Sequence, residues 1–141
     1  MLVFMPSPKI DPLLSATVKC RDGGQCVYCG RVIIGGDITD VELSIDHIVP
    51  RVWWGARPNL DHPGNLASCC DPCNSLKGTM DEVRFAAMVD AHKASLGPEY
   101  AYLQGVTGEA ILARVRVART TPVDFTAGQK ALATIKANRR G

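Results

Sequence analysis

Leu43 and Ile45 in the stretch VELSID alternate with polar neighbours, the two-residue period of a half-buried strand. Elsewhere the apolar spacing is mostly helical. Asp11-Pro12 is a helix start, with a capping acid and then proline at the first helical position, and Gly23-Gly24 stop the helix expected over 12–21. QCVYCGRVII reads as a short hairpin or knuckle, GGD as a turn, and Pro50 as the end of the VELSID strand. RVWWGARPNLDHPGN is rich in Gly, Pro, Asn and Asp and reads as a loop. Asp71-Pro72 opens a short helix ending at Gly78. Thr79 with Glu82 predicts a capping box for a helix to about Leu96, whose stripe Phe85, Met88, Val89, Leu96 includes His92 as a packed residue. Gly97-Pro98 closes that helix, and Pro98 opens a further turn through Leu103. Two more helices are expected over about 109–119, with the stripe Ile111, Val115, Ala118, and over about 127–139, where Thr126 and Gln129 resemble a second capping box.

This order predicts an α+β chain: a mixed core over 1–80 and an all-helical C-terminal extension over 81–141. In 141 residues, 46% apolar and 21% charged, the composition is that of an ordinary globular chain, and no apolar run approaches a membrane span. The apolar start MLVFMPSPKIDPLL is broken by prolines and makes a poor signal peptide, so a cytoplasmic protein is expected. The net charge of +2 hides an asymmetry. Residues 1–109 carry 9 basic and 13 acidic side chains, whereas from Ala110 onward 7 basic residues face only Asp124. A basic tail suggests a polyanionic partner; a solvated tail is the plainer alternative.

The chain has six cysteines. Cys26 and Cys29 in CVYC, and Cys70 and Cys73 in CDPC, form two C-x-x-C pairs. Each tight turn aims two sulfurs at one point, and four thiolates suit a structural zinc with no open position. Cys69 is a rival to Cys70 but stands at the less common spacing from Cys73. Cys20 and Cys69 are expected to be buried free thiols.

Between the pairs lies IDHIVP, and flanking the second pair are GNLASC and NSLKG. Phosphodiester hydrolysis needs an activated water and a means of holding charge on phosphate oxygens. Histidine side chains in general exchange protons near neutrality, so His47 suits the first task; the hard oxygens of Asp46 and Asn74 suit Mg²⁺ or Mn²⁺. A regular pleat would send Asp46 and His47 to opposite faces, so the strand is expected to end or bulge there. Asn74 and Lys77, three apart on a helix, share a face, with Lys77 directed at a neighbouring phosphate and Arg51 doing likewise. Trp53-Trp54 are expected to pack the loop rather than stack on bases, and His62 to be an ordinary loop residue.

The ordered set Asp46-His47, Asn65, Asn74 and Lys77, framed by the four cysteines, resembles the HNH endonuclease family over about residues 11–80, in its four-cysteine, H-N-N form. The resemblance implies a ββα-metal core with Asp46 and His47 on the hairpin and Asn74 on the helix. It implies His47 as general base, Asp46 and Asn74 as ligands of a catalytic divalent ion, and Asn65 as the residue that fixes the loop behind the base. It further implies double-stranded DNA as substrate, 5′-phosphate and 3′-hydroxyl products, and a phage, mobile-element or restriction setting. The extension beyond residue 81 lies outside the resemblance. Arg114, Arg116, Arg119, Lys130, Lys136, Arg139 and Arg140 there suit a phosphate backbone, self-association or a protein partner. The competing readings are a zinc-stabilised nucleic-acid-binding module that does not cut, and a thiol redox protein.

Overall fold

The computed structural model describes residues 10–33 and 43–140, the side chains of 138–140 excepted. The expected GGD turn and the first residues of VELSID lie outside the described residues. Helix α1 (Pro12–Arg21) begins as expected: Asp11 Oδ2 accepts from the Leu14 amide at 3.1 Å. The first cysteine pair follows in a knuckle, closed by an isolated bridge between Gln25 and Val32.

Strands β1 (Leu43–His47) and β2 (Leu66–Cys70) form an antiparallel two-stranded sheet, with Asp46 opposite Ala67 and His47 opposite Leu66. The pairing is regular through His47 and stops there, so the strand ends rather than bulges. Every residue of β2 is buried. The segment between the strands is not loop throughout. It holds a short helix α2 (Arg51–Trp54) and a 3-10 turn, Pro63–Asn65. Helix α3 (Asp71–Lys77) runs directly out of β2 and ends at Gly78, whose φ of +52° closes the helix in the left-handed region.

The remaining chain is helical: α4 (Glu82–His92), 3-10 turns Lys93–Ser95 and Pro98–Gly105, α5 (Gly108–Thr120) and α6 (Phe125–Arg140). Three local expectations are corrected here. The α4 cap is Asp81, whose carboxylate accepts from the Arg84 amide at 2.8 Å; Thr79 sits in the turn after Gly78. The α6 start is held by Asp124, which accepts from the amides of Thr126 and Ala127. His92 is exposed, because α4 turns its Phe85, Ala86 and Val89 face inward and leaves the last turn outside.

The extension folds back onto the rest of the molecule. Ile111, Val115 and Ala118 of α5 are buried in the same apolar cluster as the cysteines, Tyr28, Ile48 and Phe85. Arg114 crosses to the knuckle and donates to the carbonyls of Val27 at 3.0 Å and Tyr28 at 2.7 Å. Helix α6 packs along α1, with Gly128 against Thr17. The end of α1 in turn braces the segment before β2: Arg21 donates to the carbonyls of Pro63 and Leu66, and Asp22 accepts from the Ser68 amide. No helix among the described residues is long and apolar enough to cross a membrane.

Candidate metal centre and active-site cleft

The four predicted thiols converge. The sulfurs of Cys26, Cys29, Cys70 and Cys73 all lie within 4.8 Å of one another and all four residues are buried. A tetrahedral ion with zinc–sulfur bonds of about 2.3 Å requires sulfur–sulfur edges of about 3.8 Å; Cys29 and Cys70 stand 3.9 Å apart. The cluster therefore fits a zinc ion with little movement. Donors surround it in the manner of a thiolate site: the Cys29 amide reaches Cys26 Sγ at 3.5 Å, Arg31 Nη2 reaches Cys70 Sγ at 3.3 Å, and the Tyr102 hydroxyl lies 3.2 Å from Cys73 Sγ. Contact with Cys26 is the largest influence on its neighbours, drawing the Cys70 thiol far below the ordinary range and pushing those of Cys29 and Cys73 above it. Cys69 is buried beside the cluster with its sulfur on the Cys70 carbonyl at 3.3 Å, and Cys20 is half-buried.

Asp46 and His47 line a cleft of about 390 Å³ together with Pro50, Arg51, Val52, Gly78 and Thr79. Asp46 is almost fully buried. Its Oδ2 accepts from the Tyr28 hydroxyl and lies 2.9 Å from Lys77 Nζ. Burial first, and then Asp46, push the Tyr28 hydroxyl well above its ordinary range, so it remains a donor. The other carboxylate oxygen, Oδ1, takes no hydrogen bond among the described residues. One oxygen is thus held by the protein and the other is left for a ligand.

Lys77 is the residue whose place departs most from expectation. Its side chain has no exposed surface, and its ammonium bridges Asp46 and the His47 carbonyl, the latter at 3.0 Å. It does not face a neighbouring phosphate. Helical spacing put Lys77 on one face with Asn74, but Lys77 itself reaches β1, where a buried carboxylate needs a cation. Asn74 lies one turn earlier, exposed on α3. Arg51 is exposed at the cleft edge.

Asn65 is buried at the end of the 3-10 turn. Its amide nitrogen donates to the carbonyls of Val49 at 3.1 Å and Leu60 at 3.0 Å, its side-chain oxygen accepts from the Val49 amide at 2.9 Å, and its carbonyl accepts from the Ile48 amide at 2.8 Å. These bonds clamp the chain immediately after His47. The imidazole has a partner that no motif suggested: its Nε2 lies 2.6 Å from Asp61 Oδ1. An acid in a run of Pro, Asn, His and Gly reads as turn chemistry, and nothing in its spacing singled it out.

Trp53 is half-exposed beside the cleft, with its indole N–H on the Thr79 carbonyl and Arg84 over its ring; Trp54 donates to the Pro58 carbonyl under Arg57. His62 accepts from the Gly64 amide. Of the basic tail, Arg114 is spent on the knuckle and Arg119 on Glu82 at 2.9 Å.

An antiparallel strand pair running into a helix, joined to a knuckle through four converging thiols, defines a ββα domain with a metal clamp. Residues 26–79 match the family model described as HNH endonuclease, and that stretch is similar to the family. No curated protein and no solved structure matches the chain.

Proposed function

We propose that this protein is a metal-dependent endonuclease that hydrolyses phosphodiester bonds of double-stranded DNA, leaving 5′-phosphate and 3′-hydroxyl ends. The observation that carries the reading is one cleft lined by a mostly buried imidazole, a carboxylate with one oxygen uncommitted among the described residues, and an exposed arginine. His47 takes a proton from water; the resulting hydroxide attacks phosphorus, the bond to O3′ breaks, and O3′ recovers a proton from solvent. Asp46 Oδ1 and Asn74 would hold Mg²⁺ or Mn²⁺, which when bound supplies positive charge to the phosphate oxygens. Tyr28 and Lys77 keep Asp46 in one orientation. Asn65 holds the backbone that carries His47, and Arg51 contacts phosphate. Zinc at Cys26, Cys29, Cys70 and Cys73 is structural. The exposed Arg116, Lys130 and Lys136 of the C-terminal helices add sequence-independent attraction for DNA. A phage, mobile-element or restriction setting is in keeping with such a nuclease.

The test is supercoiled plasmid incubated with Mg²⁺ or Mn²⁺, wild type against His47→Ala. Nicking or linearisation by wild type alone supports the reading. Plasmid left intact across divalent metals, with DNA binding retained, would instead make this a zinc-stabilised binding module.

A further inference from the structure

The contact between His47 and Asp61 determines more than proximity. A carboxylate only accepts hydrogen bonds, so the 2.6 Å contact requires that His47 Nε2 carry the proton. The neutral ring then has its lone pair on Nδ1. The loop that presents Asp61 is tied on both sides. Asn65 Nδ2 bonds the Leu60 carbonyl at 3.0 Å, the His62 amide bonds the Asn59 carbonyl at 3.0 Å, and Asn59 itself turns through a φ of +66°. Asn65 thus holds both partners: through Val49 it fixes the chain after His47, and through Leu60 the chain before Asp61.

We propose that Asp61 is a positioning residue for His47. It selects the Nε2–H tautomer, leaves Nδ1 free to accept the proton of the attacking water, and steadies the imidazolium that results. This rests on the reading of His47 as general base. The proton passes from water to Nδ1, Nε2 keeps its own, and Asp61 remains an acceptor throughout, the division of labour of an acid–histidine pair. The other charged groups near the ring do not serve this purpose. Lys77 is committed to Asp46 and to the His47 carbonyl, and Arg51 lies along the cleft. An exposed ion pair by itself contributes little to stability, and the Asp61 side chain is 48% exposed. Its removal should therefore act on rate rather than on folding.

The experiment uses full-length, zinc-loaded protein as wild type, Asp61→Ala, Asp61→Asn and His47→Ala. Plasmid cleavage is followed under single turnover, DNA affinity and melting are measured alongside, and histidine ¹⁵N spectra are recorded where imidazoles are neutral. His47 is assigned by its loss in His47→Ala. Asp61→Ala is expected to cut about 10- to 100-fold more slowly, by analogy with the loss when the hydrogen-bond partner of a metal-bound histidine is removed, with unchanged affinity and melting. Asp61→Asn should recover most of that loss. Among the described residues Asp61 has no other side-chain hydrogen bond, so an amide there is free to turn its oxygen to Nε2. Wild type and Asp61→Asn should hold the His47 proton on Nε2, and Asp61→Ala should let it spread over both nitrogens. Wild-type cleavage by Asp61→Ala, or one unchanged His47 spectrum in all three proteins, would overturn the proposal. Should wild type fail to cut at all, the nuclease reading falls separately, and the spectra alone decide the pairing.

Discussion

Lys77 carries a full charge with no exposed surface, compensated by Asp46, a backbone carbonyl and the face of the Tyr28 ring 5.5 Å away. Removing one member of a buried ion pair leaves the other charge unsolvated and costs about 3–5 kcal/mol. Lys77→Met is therefore expected to lower the thermal midpoint sharply. Arg51→Ala, at an exposed position on the same cleft, should leave melting unchanged and weaken DNA binding. Melting curves paired with DNA titrations check both; equal melting of the two variants would contradict the buried bridge. The residue scale also marks the limit of motif reading. The two cysteine pairs were legible because their order and spacing are specific. The burial of Lys77 was not, since spacing on a helix tells which residues share a face but not whether that face meets water or a strand.

At the level of elements, the caps and the α1–α6 crossing show how tertiary contacts choose among locally equivalent options. Thr79 and Asp81 both stand where α4 might begin. The tight turn at Gly78 uses Thr79, whose carbonyl takes the Trp53 indole, and leaves Asp81 to cap. Asp81→Ala is expected to cost about 1 kcal/mol and Thr79→Ala close to nothing, measured by denaturant unfolding. Gly128 presents the opposite case. In isolation an alanine there would favour the helix by about 1 kcal/mol. A Cβ at that position, however, would lie 1.9 Å from Thr17 Oγ1 and 2.9 Å from Thr17 Cα. The clash wins, so Gly128→Ala should destabilise the protein despite its better propensity, and Gly128→Val more so, by about 1–3 kcal/mol or beyond. A stabilised Gly128→Ala would mean the two helices do not cross so closely.

Over the whole molecule, the cysteine cluster joins segments that the chain separates by 40 residues, and α5 reinforces the joint through Arg114. The ligands come from a knuckle and from the β2–α3 junction, so metal binding and folding are coupled. Cys26→Ser, or exhaustive chelation of wild type, is expected to abolish the cooperative melt, which zinc should restore to the chelated protein. His47→Ala should melt like wild type. Arg114→Ala forfeits two hydrogen bonds to the knuckle carbonyls and should release zinc to a chelator faster than wild type, read with a colorimetric zinc indicator. The extension is thus a brace for the core whatever else its basic residues do.

What the sequence determined by itself is the local layout: which thiols come together, which strand carries the acid and histidine, and which helix follows. Those features are local, and their spacing along the chain is the property that matters. Tertiary structure alone decided the environment of each group. It buried Lys77 under Asp46, set Asp61 against His47, returned α6 to α1 and turned His92 outward. Each of these depends on where distant segments exclude water, and no short stretch of residues encodes that.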